Sequence, residues 1–490
     1  MSYSSPSIAI IGSGFGGLGM AYYLKQAGIE TFTIYEKSAG LGGVWRENTY
    51  PGAACDVPSH LYSFSFEPHY PWSKAYGPQR EILDYQQQLA RKYGLQAHMR
   101  FKREVSGADF DEQRGVWTIK FTDGEIVEAQ ILISSVGQLN RPLLPKIKGL
   151  DTFKGRAFHS AQWQHDYDFT GKTVASIGTG PSAIQYVPEI AQQVKRLHVF
   201  QRSPAWCMYK VDRTYSRFER WLLTNWPWTH TLDRLRIFWY VESVASVVQT
   251  KALSHGFTKG MVRLIHWLLL RWHVKDPAIR AKLTPDFPVG CKRVLFSNDW
   301  FKTLVQPNVE LVTEAPVEIT ADSVITADGK QRKVDAIVYG TGFAATQFQA
   351  PMQIRGVNGQ SLHERWKDGA EAYFGITVAG FPNFFMLYGP NTNLGVGTII
   401  FMLERQQRYI VQCVELLRDR NLRSLELKMD AQRAFNEELK TRSAALVYGG
   451  GCNSWYLTNG RNTNNWVGYM TEYGRRLRKP LLEHYSLVTA

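Results

Sequence analysis

Ser7-Ile-Ala-Ile-Ile-Gly12-Ser-Gly14-Phe-Gly-Gly17 runs a β-branched stretch straight into a glycine turn. Downstream, Phe15 to Ala27 has helical spacing with Gly28 as its stop, and Thr31 to Tyr35 predicts a second strand ending at Glu36. In a strand–turn–helix–strand unit of this kind Gly12 allows the tight bend and Gly14 lets the backbone approach a phosphate. Gly17 lets the helix pack close to the strand, the helix N-terminus faces an anion, and Glu36 can accept bonds from ribose hydroxyls. A glycine turn alone is weak evidence; with both strands, the helix and the acid present, it reads as a dinucleotide site.

The plan recurs. Lys172 to Ile177 predicts a strand, followed by the turn Gly178-Thr179-Gly180-Pro-Ser182-Ala183, a helix from Ser182 to about Gln193, and a strand from Arg196 to Phe200. Gly178, Thr179, Gly180, Ser182, Ala183 and Gln185 are the candidate contacts of this second turn. No acid ends its second strand, which continues as Val199-Phe-Gln-Arg202-Ser203-Pro204. An acid there would repel a 2′-phosphate and an arginine can pair with one, so the expected ligand is NADPH rather than NADH. Two such turns imply two cofactors, one holding electrons and one delivering them.

Further strands are expected at Gln130–Val136, Val309–Val312, Asp335–Tyr339 and Phe384–Leu387, and a long helix from Ile399 to about Arg418. The fold class is α/β: two nested doubly wound, Rossmann-like domains, with a helical insertion in the second. The expected division is a first part of the first dinucleotide-binding domain at 1–140 and a linker at 141–160. A nicotinamide domain at 161–345 contains the helical insert 214–282, and 346–490 returns to the first domain.

The chain has 490 residues and a net charge of +14, with 44% apolar and 20% charged residues, a globular composition. The charge is dispersed rather than blocked, which suits anionic cofactors and argues against nucleic acid. Five scattered cysteines without a C-x-x-C pair exclude a zinc site, a dithiol site and a disulfide framework, and suggest reduced thiols in the cytoplasm. Met1 to Pro6 lacks the regions of a signal peptide, and Met261 to Val274 is too short and too charged to span a bilayer. The insert carries Trp221, Trp226, Trp228, Trp239, Trp267 and Trp272 interleaved with arginine. These could line a substrate entrance or rest on a membrane face; a helical core with snorkelling arginines is the preferred reading.

Between the turns lies Phe153-Lys-Gly155-Arg-Ala-Phe-His159-Ser-Ala-Gln-Trp163, and after Glu36 come Gly40-Leu-Gly-Gly43-Val-Trp45 and Tyr50-Pro-Gly-Ala-Ala-Cys55-Asp56. Together they resemble class B flavoprotein monooxygenases, and Trp163, where N- and S-oxygenating members usually have Tyr or Phe, resembles the type I Baeyer–Villiger branch. Gln164 departs from the Pro or Asp common there, and Ala344, after Gly340-Thr-Gly342-Phe343, departs from a common Asp. The resemblance implies FAD and NADP(H), and insertion of one oxygen of O2 beside a ketone carbonyl through a C4a-peroxyflavin, giving an ester or lactone. It implies that Glu36 holds the adenosine ribose, that Trp45, Asp56 and Tyr62 line the flavin, and that Val105, at the end of the strand-like run Phe101–Val105, meets the adenine through its backbone. In Gly290-Cys-Lys292-Arg293, Lys292 would join Arg202 and Ser203 at the 2′-phosphate, and Arg293 would be the catalytic cation with Asp56 as partner. Trp455 would stack near the nicotinamide, and His159 would couple the domains. The substrate pocket is expected between the insert and the flavin.

Three other readings compete: an N- or S-oxygenating monooxygenase, an NADPH oxidase or flavin reductase without oxygen transfer, and a nucleotide-binding regulatory protein. Linear, cyclic and aryl ketones are equally compatible with these residues, and no motif sets an oligomeric state.

Overall fold

The computed structural model describes residues 5–249, 254–446, 454 and 456–489. The chain begins with β1 (Ile8–Ile11), α1 (Phe15–Gln26), β2 (Phe32–Glu36), β3 (Met99–Phe101) and β4 (Ile131–Ser134). It then builds a second sheet from β5 (Arg156–His159), β6 (Thr173–Ile177), β7 (Arg196–Phe200), β8 (Val309–Val312) and β9 (Ala336–Tyr339) before returning with β10 (Phe384–Met386). The first sheet has the order β10-β4-β1-β2-β3 and the second β8-β7-β6-β9-β5. Every pairing in both is parallel. Strands covered on both faces read as unbroken apolar runs rather than alternating ones, and β1, β4, β9 and β10 are buried at every position. This is the nested doubly wound architecture expected.

The two turns are sterically equivalent. Gly12 has φ +100°, and a Cβ there would lie 2.6 Å from the Ser135 carbonyl oxygen; Gly178 has φ +110°, and a Cβ there would collide with the Gly340 carbonyl oxygen. Each turn sits beneath the loop that follows a neighbouring strand, so only glycine fits. The helix after the second turn is α2 (Ala183–Ala191), with Ala183 fully buried against the sheet.

Sequence pattern misplaced some elements. Val105 does not end a strand with Phe101: Lys102 is left-handed (φ +56°), so β3 stops at Phe101 and Val105 opens a separate antiparallel strand, Val105–Asp111. That strand pairs antiparallel with Val116–Phe121 and, from far along the chain, parallel with Gln353–Arg355. Cys55, Cys207 and Cys413 are free and buried, but Cys291 is disulfide-bonded, correcting the expectation of reduced thiols throughout.

The insert forms α3 (Arg217–Asn225), α4 (Pro227–Gln249) and α5 (Ser254–His273), α3 opened by a Ser216/Glu219 capping box. The inward faces are taken up. Asp233 accepts from His60 Nδ1 at 2.8 Å, the Thr471 hydroxyl donates to Glu242 at 2.6 Å, and the Cys207 amide donates to His266 Nδ1 at 3.1 Å. The six tryptophans are on the other side, all exposed, so the reading of them as a helical core is wrong. Helical spacing marks a stripe without saying which way it faces, and here His230, Ile237, Glu242, Ala245, His266 and Leu270 take the inner positions.

Trp163 is buried, its ring centroid 5.3 Å from Phe158, 5.6 Å from Phe169 and 5.4 Å from Tyr186. Trp163→Ala should therefore lower unfolding stability by about 3–5 kcal/mol, read as a drop in the urea midpoint. In the second sheet Glu310 of β8 accepts from His198 of β7 at 2.7 Å and from Arg332 at 2.8 Å. The Arg332 guanidinium holds the Glu310 carboxyl down to about 2 against the opposing effect of burial, while burial keeps His198 below its usual range. A carboxyl depressed in the folded state contributes stability that is complete above its unfolded value and lost as pH falls toward the folded one. Denaturation midpoints should fall steadily from about pH 4.5 to about pH 2, and Glu310→Gln should flatten that slope.

Candidate functional site

A cavity of about 1430 Å³ runs along the loops that follow β1, β4, β6 and β9, the carboxyl ends where parallel sheets bind ligands. Both glycine turns line it, with Gly12 and Gly14 from the first and Gly178, Thr179, Gly180 and Ser182 from the second. Gly17 and Ala183 lie behind, where they let α1 and α2 approach the sheets; a Cβ on Gly17 would collide with the Gly12 carbonyl oxygen.

At the end of β2, Glu36 is buried. One oxygen accepts from the Ser13 amide (2.9 Å) and hydroxyl (2.8 Å), the other from the Ser38 amide (2.8 Å). These bonds fix the carboxylate at the cavity wall with lone pairs left for a diol. Val105 lines the same end. Farther in, Trp45 Nε1 donates to the Tyr62 hydroxyl at 3.0 Å, and burial pushes the Tyr62 phenol well up, so it stays neutral.

Arg293 precedes the short strand Leu295–Phe296, which pairs with Cys207–Met208 and so holds the Lys292–Arg293 segment against the cavity. Its Nη2 donates to Asp56 Oδ2 at 2.8 Å, joining residues remote in sequence as expected. The side chain of Arg293 is 38% exposed, and the exposed part faces the cavity. Asp56 above all pushes the guanidinium pKa up, against burial, so the cation is permanent.

On the second turn's side, Lys292 Nζ donates to the Ser203 hydroxyl at 2.9 Å. Burial lowers the Lys292 pKa, and the nearby Arg202 lowers it further. Two cations that disfavour each other at a cavity wall suit a dianion placed between them, which is what a 2′-phosphate supplies. FAD and NADP therefore fit the residues present: glycines where a Cβ would collide, a fixed carboxylate at one ribose position, and a like-charge pair at the other.

Gln185 has a part that sequence spacing did not define. From α2 it accepts from the Tyr50 hydroxyl at 3.1 Å and donates to the Ala54 carbonyl at 2.9 Å, tying the Tyr50–Asp56 loop to the second sheet. The sequence reading missed a hydrogen-bonded corner of four residues. Tyr388 is left-handed (φ +63°), and its hydroxyl donates to Asn393 Oδ1 at 2.7 Å; the Asn393 amide donates to Asn465 at 2.7 Å, and Gln138 donates to the Tyr388 carbonyl at 3.0 Å. Only the turn residues Gly389-Pro390 signal this corner in the sequence. His159 is buried outside the cavity lining, accepting from the Ala161 amide at 3.1 Å, and burial lowers its pKa against a backbone bond to Gly342. Trp455 lies outside the described residues. Among the described residues no cluster could hold a metal ion, and no helix is long and apolar enough to cross a membrane.

A flavin-binding monooxygenase-like family model matches residues 5–226. The chain is 43% identical to a Baeyer–Villiger monooxygenase of Streptomyces coelicolor, over 98% of this chain and 92% of that protein. It superposes on an oxidized steroid monooxygenase bound to NADP with a TM-score of 0.88 at 29% identity, over 99% of this chain and 100% of that one. The structure of OTEMO in complex with FAD and NADP also gives a TM-score of 0.88, at 28% identity and with the same coverage.

Proposed function

Because the chain belongs to the Baeyer–Villiger monooxygenase family, we infer that Arg293 and Asp56 serve the insertion of one oxygen atom of O2 beside a ketone carbonyl, with NADPH as reductant and an ester or lactone as product. Bound FAD supplies the redox chemistry that activates oxygen. The observation that carries the reading is the 2.8 Å Arg293–Asp56 pair inside a cavity lined by both glycine turns. Negative charge builds on oxygen during transfer, and a guanidinium already in place stabilises it without reorganisation and without giving up a proton. Asp56 orients the guanidinium and leaves its remaining N–H groups free to face the cavity. Trp45 and Tyr62 wall the flavin position with a neutral, mutually bonded pair. Glu36 and Val105 hold the adenosine end of FAD; Arg202, Ser203 and Lys292 take the 2′-phosphate of NADPH, with Thr179, Ser182 and Gln185 along its pyrophosphate. The proposed division into 1–140, 141–160, 161–345 and 346–490 goes with this assignment, with the last linker residues, Arg156–His159, joining the second sheet as β5; a cytoplasmic location, where NADPH is available, goes with it too.

The test is NADPH consumption against linear, cyclic and aryl ketones and a thioether, with products identified and peroxide followed in parallel. Ester or lactone from at least one ketone is expected. Consumption accompanied only by peroxide for every ketone, or oxygenation of the thioether alone, would overturn the reading.

A further inference from the structure

The outer face of the helical insert is apolar, aromatic and cationic at once. On α4, Trp228, Leu232, Leu235 and Trp239 recur at helical spacing, and all are exposed, the two tryptophans at 57% and 59%. On α5, Leu264, Trp267, Leu268 and Trp272 do the same, Trp272 at 83%. Phe218 and Trp221 continue the surface on α3, which packs on α4, as α4 packs on α5. Single exposed apolar side chains are ordinary, but stripes on adjacent helices mark a surface that meets something.

The charges say what. Arg217, Arg220, Arg263 and Arg271 are exposed on the same helices, and among the described residues no carboxylate pairs with them; Arg271 instead lies over the Trp267 ring at 4.8 Å. The acids of these helices are engaged elsewhere: Glu219 with Arg213 and Ser216, Asp233 with His60 and Arg236, and Glu242 with Thr471. Tryptophan prefers the boundary between acyl chains and headgroups, and arginine reaches from that depth to lipid phosphate. We propose that the outer face of α3–α5 docks the protein on an anionic lipid bilayer, lying in the interface without crossing it. A second copy of the chain fits less well, since two-fold pairing would set arginine against arginine; a nucleic acid would leave the leucines and most tryptophans wet.

The experiment uses the full-length, FAD-loaded protein in flotation with vesicles of phosphatidylcholine alone or with phosphatidylglycerol added, following tryptophan emission in parallel. Flotation with the phosphatidylglycerol vesicles and a blue shift of emission are expected, with little of either on phosphatidylcholine alone. Arg263→Gln with Arg271→Gln should weaken anionic-vesicle binding about 30-fold, the loss expected for two arginines at such a surface. Trp228→Ser with Trp239→Ser should weaken flotation and shrink the blue shift to that of the tryptophans left on the face; retained flavin absorbance reports folding, and should that pair not fold, the arginine pair decides. Absence of flotation with either vesicle, binding unchanged in the arginine pair, or an emission shift that follows protein concentration through dimer formation rather than lipid would each overturn the proposal.

Discussion

Arg293→Ala is expected to lower the rate of ketone oxygenation by about a thousandfold, the effect of removing a preorganised positive group from a site where charge develops on oxygen. NADPH should still be consumed, because Arg202, Ser203 and Lys292, the residues assigned to its 2′-phosphate, are untouched, and the electrons should appear as peroxide instead of ester. The variant also strands the Asp56 carboxylate, whose 2.8 Å partner is gone. Arg293→Lys restores a charge but not the planar fork that bonds Asp56 while pointing other N–H groups at the cavity, so it should recover only part of the loss. Single-turnover measurement of product against peroxide is the check, and full product yield from Arg293→Ala would remove the guanidinium from the mechanism.

The second large effect concerns which nicotinamide is used. Arg202 and Lys292 are the cations beside the second turn, and Ser203 holds the lysine in place at 2.9 Å. Each charge-assisted bond to a phosphate contributes about 1.5–3 kcal/mol, so Arg202→Ala with Lys292→Ala should raise KM for NADPH about a hundredfold or more. The turnover rate at saturation should hold, and KM for NADH should hardly move, since NADH carries no 2′-phosphate. Removal of two mutually unfavourable cations should also leave thermal stability unchanged or slightly raised. Steady-state kinetics with both nucleotides separates these outcomes: a parallel loss for NADH would mean that the pair supports the fold rather than the phosphate.

Strands β1, β4, β6 and β9 were legible because each is a short apolar run leading into a glycine turn, and Gly12 and Gly178 mark two of those turns by steric need; β3 and β5 carry no such signal. The small mixed sheet was not legible, because one of its strands is three residues long, Gln353–Arg355, and finds its parallel partner at Gly107–Asp109, far back in the chain. The site divides in the same way. Glu36 and Arg202 follow from their places at strand ends. The Arg293–Asp56 pair came only from resemblance, and the Tyr388–Asn393–Asn465 chain and the Gln185 contacts to Tyr50 and Ala54 went unseen, because no local period encodes contacts between distant segments. The insert shows the limit from the other side: spacing found the helices, and only packing revealed that their tryptophans face outward.

The return of the chain to its first sheet has a consequence for synthesis. Until Phe384–Met386 leaves the ribosome, Ile131–Ser134 has an open hydrogen-bonding edge on one side, along a strand buried at every position in the finished protein. The whole second sheet must emerge during that interval, so the nascent polypeptide carries a sticky, unpaired edge through much of its translation. A chaperone that shields this segment, or a pause in translation before residue 384, would thus govern yield without touching the catalytic chemistry.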